Sequence, residues 1–187
     1  MTVTKLSDQA ETRLKEVVKK YPVARSAVMP ALYIAQEELG WITDEAIAWV
    51  ADRVGIPPSH VREVASFYTM YYKKPVGKYH LQICRTLSCM LCGSRSLTEH
   101  IKKRLQIKSG EISADGLWSF EEVECLGSCG TAPMIQINDV FFENLTPEKL
   151  NAILDRIEKE KPDLRFSEIR NKLGEGMPDM PRSQVWE

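Results

Sequence analysis

The sequence predicts an α+β protein: an N-terminal helical bundle followed by an α/β domain with a mixed sheet. Three observations predict it. Apolar residues recur at helical spacing through residues 1–72, and the period then changes, with alternating runs at residues 79–83 and 118–124. All five cysteines of the 187-residue chain lie between Cys84 and Cys129, in two tight groups that each follow a strand-like run.

In the first part, Leu6, Ala10, Leu14, Val17 and Val18 form a helical stripe that Pro22 ends. A second helix is expected over residues 24–39, stopped by Gly40. Thr43 starts a third, with Ile47, Val50 and Val54 on one face and Gly55 past its end. Pro57-Pro58-Ser59 launches a fourth, for which Ser59 is the expected N-cap. This bundle (1–72) carries no catalytic chemistry of its own, so packing against another domain or a partner is its expected role. Residues 67–77 read as a linker.

The second part (73–160) opens with a strand at residues 79–83, followed by a helix at 94–105 with Leu97, Ile101 and Leu105 on one face. Asp115-Gly116 marks a turn before the next strand, at residues 118–124. Two short strands at 134–137 and 140–142 are joined at Asn138-Asp139, a two-residue hairpin signal. Thr146-Pro147 starts a last helix, with Leu150, Ile153, Leu154 and Ile157 inward. The order β-α-β-β-β-α implies one parallel pair, across the helix, and one antiparallel pair, at the hairpin. That is the element order of a thioredoxin-like domain, and it puts cysteines at the exits of the first two strands. From 161 to 187 the chain turns polar and Pro/Gly-punctuated, with isolated Phe166, Ile169, Leu173, Met177, Met180 and Trp186. It reads as a disordered terminus or as an extended arm lying on another subunit.

Composition narrows the function. A chain that is 43% apolar and 27% charged is an ordinary soluble globular protein. A net charge of -1 removes the simplest case for nucleic acid or anionic membrane. The longest apolar runs, such as 64–72, fall short of a bilayer span, and the N-terminus shows no secretory segment. With an odd cysteine count, this argues for a reducing, cytoplasmic compartment and against a disulfide framework.

Four arrangements compete for the cysteines. Cys89-Met-Leu-Cys92 is a C-x-x-C at the start of a helix, which suggests a thioredoxin-like dithiol, but it leaves three thiols unexplained. Cys84, Cys89 and Cys92 with Cys125 match plant-type ferredoxin spacing and strand Cys129. Cys84-x4-Cys89 with Cys125-x3-Cys129 would hold a 2Fe–2S cluster, two thiolates from each loop. In that frame Gly93, Gly127 and Gly130 allow the backbone to turn N–H groups toward sulfur, and Thr86, Ser88, Ser128 and Thr131 add short donors. The same four residues could instead bind structural zinc, since thiolates suit both metals.

Several stretches together resemble one family: Phe67-Tyr-Thr-Met, Pro75-Val-Gly-Lys-Tyr, Cys84-x4-Cys89, Gly110-Glu, Asp115-Gly, Glu124-Cys-Leu-Gly-Ser-Cys129 and Thr131-Ala-Pro-Met134. The chain is similar to the small 2Fe–2S subunit of proton-pumping NADH:quinone oxidoreductase, respiratory complex I, over all but its tail. The resemblance implies one 2Fe–2S cluster held by Cys84, Cys89, Cys125 and Cys129, with Cys92 a bystander. It also implies a thioredoxin-like ferredoxin domain, and a bundle that docks on a flavoprotein subunit carrying FMN and NADH. The complex's peripheral arm, on the cytoplasmic side, is the implied location, and reduced flavin the implied electron source. The equivalent subunit of a soluble NAD-linked hydrogenase or formate dehydrogenase is the alternative.

Other residues tempt less. His60, His80 and His100 lie outside the cysteine loops and read as surface or helix-face residues rather than Rieske-type ligands. The aromatic run 67–72 reads as a domain-interface plug. Arg85 is the nearest fixed cation to the cysteines, and Glu122 and Glu124 are the nearest anions. No Gly-rich phosphate loop is present, so NADH and FMN are not expected on this chain.

Overall fold

The computed structural model describes residues 6–165, so the tail residues from Phe166 to Trp186 lie outside the described part. The chain divides into two compact units between Val76 and Gly77.

The first unit contains four helices: α1 (Asp8–Val18), α2 (Val28–Leu39), α3 (Asp44–Val54) and α4 (Pro58–Phe67). Their ends follow from local chemistry. Ser7 Oγ accepts from the Ala10 N–H at 3.2 Å, and Thr43 Oγ1 from the Ala46 N–H at 3.1 Å. Gly40 and Gly55 close α2 and α3 in the left-handed conformation, which an L side chain adopts only with strain. Two expectations are corrected. Residues 24–27 form a separate 3-10 turn before α2. At α4 the N-cap is Pro57, with Pro58 in the first turn, and Ser59 is already inside the helix. Proline's fixed φ and missing N–H suit the first turn, so the helix starts earlier than a serine cap would place it.

Leu14, Leu32, Trp49, Val50 and Val61 fill the bundle core. Glu11 joins α1 to α3: its carboxylate accepts from the Trp49 indole at 2.8 Å and from Arg53 at 2.7 and 2.9 Å. The aromatic run behaves unevenly. Tyr71 is buried within this unit and donates its hydroxyl to the Met29 carbonyl at 3.0 Å, and the Tyr72 backbone bonds to Gln36 and to Ile42. Phe67, by contrast, is 78% exposed. The run is therefore part core residue and part open surface.

The second unit is a four-stranded mixed sheet in the order β2-β1-β3-β4. Here β1 is Tyr79–Cys84, β2 Trp118–Val123, β3 Ile135–Ile137 and β4 Val140–Phe142. β1 pairs parallel with β2 and antiparallel with β3, and β3–β4 is the hairpin at Asn138-Asp139. The crossover from β1 to β2 runs through a short helix, α5 (Leu87–Leu91), and then α6 (Ser94–Leu105). The final helix, α7 (Pro147–Glu160), starts at Thr146, whose hydroxyl accepts from the Lys149 N–H at 3.3 Å. Tyr79, Leu81 and Ile83 share one core with Leu97 and Ile101 of α6 and with Leu150, Leu154 and Ile157 of α7.

All six residues of β1 are buried, as befits a central strand. Its second face is polar. His80 is held between Ser119 (2.8 Å from Nδ1) and Glu121 (3.2 Å from Nε2), and Gln82 donates to Glu121 at 3.3 Å. His80 is thus a satisfied residue of a buried strand and not a surface or helix-face histidine. Parallel pairing puts it directly beside Ser119. Past α7, the Pro162 carbonyl accepts from the Tyr79 hydroxyl at 2.9 Å and the Leu164 carbonyl from the Asp139 N–H at 3.0 Å. The chain does not leave the domain at residue 161.

Candidate metal centre

Cys84 is the last residue of β1 and sits opposite Val123, the last residue of β2. Both strands run the same way, so their following loops leave the same edge of the sheet side by side. One loop folds into α5, and this single turn and a half of helix returns Cys89 toward Cys84. Both thiols are 2% exposed and pack with Met134, Leu126 and Ala132. The other loop carries Cys125 and Cys129, both exposed, with their sulfurs 3.6 Å apart. Gly127 takes φ +85°, and its N–H reaches Cys125 Sγ at 3.4 Å. A positive φ there is what lets the loop curl back on its own thiol.

The four thiols affect one another. Burial opposes ionisation of Cys84, but the Thr86 hydroxyl and N–H, the Cys89 thiol and the Leu126 N–H together hold Cys84 below the ordinary thiol range. Thr86 Oγ1 lies 3.1 Å from Cys84 Sγ. Cys89 is pushed up to about 11, first by burial and then by donating to Cys84. Cys125 is lowered, by the Gly127 N–H above all, then by Cys129 and the Thr86 hydroxyl. Cys129 is raised by Cys125, while the Ser88 hydroxyl opposes that shift. Each pair therefore consists of one thiol ready to lose its proton and one that donates to it. In the metal-free chain, alkylation should titrate at Cys125 below the ordinary thiol value of 9.0, while Cys89 should react only as pH approaches about 11. Mass-spectrometric labelling across pH checks this, and equal profiles for the two residues would contradict it.

Among the described residues, no three His, Cys, Asp or Glu side chains are grouped to hold one metal ion; the thiols stand as two pairs. Cys92 caps the C-terminal end of α5 and is exposed. His60 and His100 lie elsewhere; His100 bonds Asn151 at 2.8 Å between α6 and α7.

The expected donors divide. Thr86 and Ser88 face sulfur, whereas Ser128 and Thr131 turn away to the Glu143 carboxylate, with Thr131 Oγ1 at 2.7 Å. Gly130 has no positive φ, and a Cβ there would meet nothing within 4 Å, so no conformational need for glycine appears at that position. Gly93, at φ +101°, serves to start α6. Arg85 is not a free cation. It pairs with Glu124 at 2.6 Å on the exposed surface. Sequence reasoning missed both α5 and Glu143. For α5, the run Leu87-Ser-Cys-Met-Leu91 is too short to show a period. Beside the thiols α5 exposes Leu87 (67%) and Leu91 (74%).

The sequence profile of the thioredoxin-like 2Fe-2S ferredoxin family matches residues 14–158. The chain belongs to that family. Among its curated relatives, an NADH-quinone oxidoreductase subunit from Rickettsia bellii is 45% identical over 146 residues, covering 76% of this chain and 87% of the relative. A second, from the NADH-quinone oxidoreductase of Thermus thermophilus, is 47% identical over 150 residues, covering 79% and 83%. Among solved structures, a chain of the NAD+-reducing NiFe-hydrogenase in the air-oxidised state superposes with a TM-score of 0.63 at 23% identity. The match covers 73% of this chain and 23% of that one, and it bears on the fold alone. No helix among the described residues is long and apolar enough to cross a membrane.

The donor set of this ferredoxin fits a 2Fe–2S cluster. Two thiol pairs come from two loops at one sheet edge, and one pair is buried and the other open to solvent. The N–H of Gly127 already points at sulfur.

Proposed function

We propose that this chain is the electron-transfer subunit of an NADH:quinone oxidoreductase, with Cys84 and Cys89 holding one iron of a 2Fe–2S cluster and Cys125 and Cys129 the other. The observation that carries this reading is the pairing itself: two thiol couples on adjacent loops. When bound, the cluster supplies one-electron transfer. The protein's residues hold and insulate it. Cys84 and Cys125 have their pKa values lowered by neighbouring donors, the Gly127 N–H and the Thr86 and Ser88 hydroxyls offset the sulfur charge, and Met134 and Leu126 exclude water on the buried side. Relatives 42–47% identical are named as subunits of NADH-quinone oxidoreductase, and this supports the same assembly here.

In that assembly the partner is the flavoprotein that carries FMN and NADH, and reduced flavin is the electron donor. The helical unit is the proposed docking part. The exposed Leu87, Met90 and Leu91 beside the thiols offer apolar surface to the same partner. The complex would place the chain in a peripheral, cytoplasmic arm. The second reading is the equivalent subunit of a soluble NAD-linked complex; an NAD+-reducing hydrogenase contains a chain of the same fold. The flavoprotein that co-purifies distinguishes the two.

Anaerobically prepared chain should contain iron and acid-labile sulfide in equal amounts, about two of each, and give a paramagnetic signal after dithionite. Alone, it should not oxidise NADH. A colourless zinc protein, or thiol–disulfide turnover through Cys89 and Cys92 without metal, would refute the proposal.

A further inference from the structure

Glu143 follows β4 directly and plays no part in the electron transfer described above, yet its carboxylate reaches into the Cys125–Cys129 loop. Ser128 and Thr131 flank Cys129, and both hydroxyls donate to Glu143 Oε1, Thr131 at 2.7 Å and Ser128 in closer contact. The two hydroxyl oxygens are 2.8 Å apart. Two backbone bonds run alongside: Asn144 N–H to the Thr131 carbonyl at 2.8 Å, and Leu145 N–H to the Pro133 carbonyl at 3.1 Å. The strand end is thus laced to the loop by four contacts that involve no sulfur.

A hydroxyl has one proton to give. Those of Thr86 and Ser88 face the thiols, but those of Ser128 and Thr131 go to the carboxylate. Donors withheld from sulfur, and an anion bonded to the two residues around Cys129, both disfavour the arrival of an electron. We propose that Glu143 is a positioning residue for the Cys129 side of the centre: it fixes the loop, keeps two hydroxyl protons off sulfur and lowers the reduction potential. The inference rests on the reading that the four thiols hold a 2Fe–2S cluster.

The test is a redox titration, followed by paramagnetic resonance, of the full chain and two variants. Glu143→Gln removes the charge and keeps the shape. At a fixed ambient potential its ratio of reduced to oxidised cluster should rise about tenfold, which for one electron is about 59 mV. The double variant Ser128→Ala, Thr131→Val keeps the charge and removes its two donors, so the ratio should fall, by about threefold. A role limited to holding the loop shut would move both variants in one direction. Shifts of the same sign, or none, overturn the inference. Loss of the cluster from both variants would mark a purely structural strut and also overturn it. Should Glu143→Gln alone fail to load, the double variant decides: a lowered ratio supports the inference and any other result refutes it. Absence of a cluster from the unaltered chain would instead bring down the electron-transfer reading, and this inference with it.

Discussion

Cys125→Ser should abolish or change the cluster, whereas Cys92→Ser should leave the visible spectrum unchanged. Cys125 sits where the chain has arranged for a thiolate. The Gly127 N–H approaches its sulfur at 3.4 Å, and Cys129 and Thr86 add to the stabilisation, so its proton leaves below the ordinary thiol range. A free serine hydroxyl is a far weaker acid than a thiol, and it is a hard, weak partner for iron. It is also shorter, so the pairing with Cys129 at 3.6 Å is broken as well. Changes beyond the ligands themselves typically cost 10- to 100-fold in metal affinity, and loss of a ligand should exceed about 100-fold. Iron and sulfide content after gel filtration, with the visible and paramagnetic spectra, measures the loss. Cys92 lies at the end of α5, and its replacement removes an exposed thiol there. If Cys92→Ser bleaches the protein while Cys129→Ser does not, the plant-type set Cys84, Cys89, Cys92 and Cys125 is the true one.

Gly77→Ala should destabilise the α/β unit by about 3 kcal/mol, through contact with backbone that cannot move aside. A Cβ at Gly77 would lie 2.5 Å from the Trp118 carbonyl carbon and 2.8 Å from both its oxygen and the Ser119 nitrogen. Overpacking of this kind costs about 1–3 kcal/mol, and here the atoms in the way belong to the β2 main chain. The displacement also pulls the Gly77 N–H away from Ser119 Oγ, a buried bond of 2.8 Å that anchors the polar row through His80 to Glu121. An orphaned buried donor adds about 1–3 kcal/mol. For a unit of this size the expected fall in Tm is about 12 °C or more. Gly130→Ala is the control: its Cβ meets nothing within 4 Å, so its stability should change by less than about 0.5 kcal/mol. Equal melting of Gly77→Ala and the unaltered chain would show that the close approach is not real.

Much of this was legible in the chain because local chemistry decided it. Thr43, Gly55 and Thr146-Pro147 mark helix ends by hydrogen bonding and φ preference alone, and the structure places the ends there. Likewise Asn138-Asp139 closes its hairpin, with Asn138 at φ +51°. Where two local signals competed, as at Pro57-Pro58-Ser59, sequence reasoning chose the wrong cap. For β1 the alternation identified a strand but not its place. A central strand buries both faces, so His80 and Gln82 end up inside although their types suggest the surface.

Residue type and spacing were enough for the order of the strands and long helices, the position of the thiols at two strand exits and the family to which the chain belongs. Each of these is written along one continuous stretch. Which hydroxyls face sulfur, that Arg85 is tied to Glu124, and that Glu143 reaches the Cys129 loop emerged only from the folded chain. The last two outcomes join residues 12 to 39 positions apart. They depend on which strand lies beside which and on where each loop turns, and no periodicity along the chain records that.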